Sequence, residues 1–185
     1  MTQDCLAKQT DMSMEDLSPL GAASVFHSAV ATFFAPGDMS GSHGMRRERI
    51  RSTPSWRGGK PRHDCAFLVE DEEKAGMSGM AVVRILLFFS VTYNEVQYPC
   101  VLVEWFQRLG CDPVTGMWVV RPDRTCGRRD KTVVHLDCFL RAAHLIPMYG
   151  NQKIPLAFDH SYSLDTFEAY YVNKYIDHHS YEVVF

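Results

Sequence analysis

Arginine is concentrated in one short stretch of this chain. Seven of its nineteen Lys and Arg residues fall between positions 46 and 62, as Arg46, Arg47, Arg49, Arg51, Arg57, Lys60 and Arg62. Over residues 36–62 only Asp38 and Glu48 oppose them. A planar guanidinium holds phosphate through two parallel hydrogen bonds, and a neighbouring tryptophan can stack on an unpaired base. The pattern therefore points to DNA phosphates or an acidic protein surface. Arg46, Arg47, Arg49, Arg51 and Arg57 would make the contacts, and Trp56 would be the stacking group. The competing reading is a solvated turn whose arginines pair with the acidic run at 70–73.

Other groupings offer weaker chemistry. Tyr93, Tyr98, Trp105 and Trp118 fall on or beside predicted strands, and clustered aromatics can hold a methylated ammonium, as a peptide or chromatin reader does. Tyr93, Trp105 and Trp118 are the candidate peptide-binding residues. His135, Asp137, Cys138 and His144 stand close in sequence. On a strand His135 and Asp137 share a face, but zinc needs three or four converging ligands. A metal-dependent hydrolase around His135, Asp137 and His144 is thus the least supported class. His178 and His179 are adjacent and would diverge on a helix. No Cys-x-x-Cys, Gly-x-Ser-x-Gly or phosphate-loop sequence occurs. The expectation is a non-enzymatic protein with no cofactor and no metal.

The composition bounds the rest. With 185 residues, 46% of them hydrophobic and 12% aromatic, the chain suits one domain with a substantial core. A formal charge of −3 says nothing for nucleic acid by itself, so the distribution carries that argument. The six cysteines lack disulfide-like spacing and residues 1–16 are polar and acidic, which predicts reduced thiols inside the cell, in cytoplasm or nucleus. The longest apolar run, near residues 81–89, is broken by Arg84 and reads as a buried strand, so no membrane partner is expected.

The elements that must position these residues read as follows. Residues 1–17 form a loose tail. Ser18 and Pro19 open an amphipathic helix over 18–36, with Val25, Phe26, Ala29, Val30, Phe33 and Phe34 at helical spacing. Residues 37–62 form an Arg- and Gly-rich arm. A β-rich core over 63–150 contains strands at 65–69, 81–93, 97–108, 117–121 and 132–136, with a hairpin turn at Asn94 and Glu95 and a short helix or turn at 139–145. Residues 151–185 form a linker and a helix capped by Ser163, with Leu164, Phe167, Tyr171 and Tyr175 in its stripe, and 181–185 could add an edge strand. The predicted class is α+β, a small curled antiparallel sheet or partial barrel with flanking helices.

Six phrases carry a resemblance: GMRRERIRSTPSW, PRHDCAF, YPCVLVEWF, TGMWVVRPD, VVHLDCFLRAAHLIPMYG and YYVNKYIDHHSYEVVF. Over residues 44–185 they resemble C-terminal regions of transposon-associated proteins of basidiomycete fungi, of the Plavaka or the Kyakuja–Dileera–Zisupton transposase group. A transposase core of that kind holds two metal ions on spaced carboxylates. No such acidic triad can be traced here, so the resemblance implies a separated or domesticated binding module and carries over no catalytic residue. A second likeness, over about residues 65–150, is to bromo-adjacent-homology domains, β-rich modules that read chromatin or bind partner proteins. It rests on layout.

Overall fold

The computed structural model describes residues 23–37, 41–151, 153–154 and 156–184. The predicted tail at 1–17 and the helix opening at Ser18 and Pro19 lie outside them.

Strand β1 (Ser24–Phe26) is followed after His27 by β2 (Ser28–Phe34), which turns back into β3 (Met45–Thr53) and the short β4 (Arg62–His63). After β5 (Cys65–Val69) comes a long hairpin, β6 (Met80–Tyr93) and β7 (Val96–Cys111). Its two-residue turn, Asn94 at φ 48° and Glu95 at φ 64°, has the left-handed backbone that matches strand twist. The chain continues through β8 (Trp118–Pro122), a small ribbon of β9 (Arg124–Thr125) and β10 (Arg128–Arg129), and β11 (Lys131–His135). Next are β12 (Phe139–Ala143), β13 (Leu145–Pro147), a helical turn at Ser163–Thr166, β14 (Tyr170–Val172) and the C-terminal helix His178–Val184.

The main sheet runs β12-β5-β6-β7-β8-β14-β13, and its paired neighbours are antiparallel. Only His144 separates β12 from β13, so one bent segment joins both ends of the sheet and brings it close to a barrel. Beyond a register shift between Ile85 and Leu87, β6 pairs with β1, and the matching half of β7 pairs with β11. Alternation along the strands then builds two cores. Cys65, Phe67, Met80, Val82, Phe106, Val120, Tyr170 and Val172 fill the ring. Ala66, Leu68, Val83, Ile85, Val101 and Val103 point the other way, where Ile50, Ala29 and Ala31 of the separate sheet β2-β3-β4 cover them.

Among the described residues the fold is thus a small β-rich partial barrel with two short helices, and several local expectations change. The helix over 18–36 is two strands where described, because the inward set is Ala29, Ala31 and Phe33 at period two. The arm over 37–62 contains nine residues of strand in β3, paired with β2 from Met45 to Arg51 and with β4 at Ser52 and Thr53. The segment 139–145 is strand on either side of His144, with β12 paired to β5 and β13 to β14. The helix from Ser163 stops at Thr166, so Tyr171 lies on a strand, and the helix His178–Val184 covers residues 181–184, where an edge strand was expected. His178 and His179 therefore open a helix instead of following one. The sheet formed by residues 63–150 also takes in β14, and its outward face packs against β2 and β3.

Candidate nucleic-acid interface

Placing the arginine run on a strand splits it. Along β3, Arg46, Glu48, Ile50 and Ser52 face inward, whereas Arg47, Arg49 and Arg51 face out at intervals of about 6.6 Å. Arg47 and Arg49 are exposed and Arg51 is half-buried. Cross-strand neighbours on β2 are Thr32, Val30 and Ser28, so the outer face carries a single line of charge. Arg49 donates to the Ser28 hydroxyl at 3.1 Å, and Arg51 to the Arg49 carbonyl at 3.4 Å.

Trp56 extends this line. The guanidinium groups of Arg51, Arg57 and Arg62 lie 4.8, 5.4 and 4.9 Å from its ring. Cation–π contact orders a charge without neutralising it. The indole therefore gathers three arginines around its ring. Arg62 is neutralised by Asp64 at 2.7 Å, and Lys60 by Asp159 at 3.1 Å. Hydrogen bonds from Ser161 and then the Lys60 ammonium hold the Asp159 carboxyl far below the usual carboxylate range.

Arg46 belongs elsewhere. It lies 3.9 Å from Asp177, beside a buried cluster centred on Arg141. Arg141, 1% exposed, donates to both Asp177 oxygens at 2.8 and 2.6 Å and meets His179 Nδ1 at 3.1 Å. Its guanidinium sits 4.9 Å from the Phe33 ring, on which His179 stacks at 4.5 Å. Glu48 accepts from the Ala142 amide at 3.1 Å and lies 3.6 Å from Arg141 Nε. Sequence reasoning missed this cluster because its members span positions 33 to 179, with no local signal.

The acidic run does not answer the arginines. Glu70 pairs with Arg108 at 3.6 Å and Asp71 with Lys74 at 2.8 Å. Asp64 accepts from the Arg51 backbone amide at 2.9 Å, but among the described residues no carboxylate forms an ion pair with the guanidinium group of Arg47, Arg49, Arg51 or Arg57.

The other candidates disperse. Trp105 packs on the outward core and donates to the Thr132 hydroxyl at 3.1 Å, whereas Trp118 packs against the ring interior. Tyr93 sits at the hairpin turn, paired with Val96. Nine further residues of strand carry Trp105 about 30 Å away. These three aromatics form no cage. His135 and Asp137 do meet, at 3.4 Å, but His144 bonds Asn173 at 3.1 Å. Among the described residues, no three His, Cys, Asp or Glu side chains converge in a way that could hold a metal. Burial pushes the Cys65 thiol up to about 12, far from a reactive thiolate. No helix among the described residues is long and apolar enough to cross a membrane. A cavity of about 730 Å³ lies between β2 and the far half of the long hairpin, lined mainly by apolar groups including Phe26, Phe88, Phe89, Pro99 and Leu136.

Neither a protein family, nor a curated protein, nor a solved structure matches this chain.

Proposed function

We propose that this protein is a non-catalytic, mobile-element-derived module that binds nucleic acid inside the cell through the outer face of β3. The observation that carries the reading is the line of Arg47, Arg49 and Arg51, ordered by strand pairing, whose guanidinium groups form no ion pair with a carboxylate among the described residues. Three cations held in register by a sheet lose little freedom on meeting phosphates, and each meeting releases condensed counterions. Arg57, gathered by Trp56, extends the charged line.

The test is fluorescence anisotropy of labelled DNA against the protein across a salt series, with Arg47, Arg49 and Arg51 all changed to alanine in one variant. Each lost phosphate contact lowers the slope of log affinity against log salt by about 0.7–0.9, so the triple variant is expected to lose about 2–3 in slope. Its stability should fall by no more than about 1–2 kcal/mol, because the variant gives up one cation–π contact and one exposed hydrogen bond but no ion pair among the described residues. Arg46→Ala is the internal control: it should keep the salt slope and lose stability. Binding that is absent at low salt, or unchanged in the triple variant, would remove the proposal.

A further inference from the structure

The outer face holds an aromatic side chain that the helical reading had buried. On β2 the residues sharing a face with Arg47, Arg49 and Arg51 are Ser28, Val30, Thr32 and Phe34. Phe34 is 61% exposed and Val30 40% exposed, although Phe33 beside them is buried. Phe34 pairs across the strands with Met45, one step beyond the Thr32–Arg47 pair, so it lies diagonally about 7 Å from Arg47. One side of its ring lies against Gly44: a methyl group there would sit 2.8 Å from the ring. Gly44 has φ 75°, a backbone conformation that favours glycine and leaves this seat open. A large exposed aromatic braced by backbone, at the end of a line of unpaired arginines, has the parts of a stacking platform: a charged track for the phosphodiester and an aromatic surface beside it for a base.

Resting on the proposed function above, we infer that the ligand class is a single-stranded nucleic acid, with a base stacked on Phe34 while Arg47, Arg49 and Arg51 hold the backbone. A duplex keeps its base faces inside the stack, so only an unpaired strand can use the ring. The charged line is one residue wide, flanked on β2 by neutral side chains, and so tracks one strand. Phe34 suits this part better than Trp56, whose ring already has three guanidinium groups within 5.4 Å of its centroid.

The experiment compares a labelled single-stranded DNA twelve-mer, its RNA counterpart, the matching duplex and inorganic polyphosphate, for wild type, Phe34→Ala and Phe34→Trp. Phe34→Ala is expected to weaken single-strand binding roughly tenfold while leaving the salt slope and polyphosphate binding unchanged. Phe34→Trp should restore the single-strand affinity, and the duplex should bind more weakly than the single strand to wild type and be indifferent to position 34. Comparing the DNA and RNA arms tells which sugar the site accepts. If Phe34→Ala leaves single-strand affinity intact, or the duplex binds as well as the single strand, the inference is overturned while salt-sensitive, arginine-dependent binding still stands. If no probe binds with salt sensitivity, the proposed function falls and this inference with it.

Discussion

Arg141→Ala is expected to destabilise the protein by about 3–5 kcal/mol, read as a lower denaturant midpoint with an unchanged slope. Arg141 lies on β12, 1% exposed, and the loss would strand Asp177 and Glu48 with much of their charge unanswered. The cluster ties three regions together: Phe33 and Glu48 from the β2–β3 sheet, Arg141 from the barrel, and Asp177 and His179 at the start of the C-terminal helix. Asp177 also accepts from the Ser180 amide at 2.7 Å, which anchors the first turn of that helix.

The same cluster gives stability a pH dependence of defined sign. The Arg141 guanidinium, ahead of the Ser180 amide, holds the Asp177 carboxyl down to about 2 from its ordinary 3.8. A carboxyl depressed in the folded state contributes stability that is present above pH 3.8 and lost as pH falls toward 2. Burial, and then Arg141, lowers the His179 imidazole, so its contribution is present above pH 6.5 and declines as pH falls below that value. Asp177→Asn should therefore flatten the acid limb between pH 4 and 2, measured by urea unfolding at fixed temperature. An acid limb unchanged in both Arg141→Ala and Asp177→Asn would show that this pair does not shape it.

Tyr170→Ala is expected to cost about 3–5 kcal/mol, comparable to other large aromatic truncations in a core. Tyr170 is fully buried, meets Phe106 edge-on at 5.8 Å and donates its hydroxyl to the Ser163 carbonyl at 2.7 Å. Its strand stands between Val120 of β8 and Pro147 of β13, so it completes the ring where the sheet would otherwise gape. Tyr170→Phe keeps the ring and removes one hydrogen bond, and should cost only about 1 kcal/mol. Equilibrium unfolding of the two variants separates packing from hydrogen bonding. A Tyr170→Ala loss below about 1 kcal/mol would mean that β14 contributes little to closing the barrel.

The long hairpin was legible because its signals are local. Near-continuous apolar runs on both sides of Asn94 and Glu95 gave β6 and β7 to within a few residues. The misread segments share a different cause. Val25, Phe26, Ala29, Val30, Phe33 and Phe34 satisfy a helical spacing, yet Ala29, Ala31 and Phe33 also satisfy alternation, and pairing with β3 decided between them. Leu164, Phe167, Tyr171 and Tyr175 likewise fit a helix until Tyr170 is claimed by the core. In both places pairing with another strand, β3 in the first and β8 and β13 in the second, overrode a local pattern.

What the amino-acid sequence determined by itself was the β-rich class, the central hairpin and the concentration of arginine at 46–62, each of which depends on neighbours in the chain. The tertiary structure alone decided which arginines face out, that Arg46 joins the Asp177 cluster, that Phe34 lies exposed beside Arg47, and that the predicted cage aromatics stand apart. The physical reason is the strand's two-residue period: once β3 pairs with β2, alternate side chains must point to opposite faces, and only the packing of the second sheet on the barrel settles which face meets solvent.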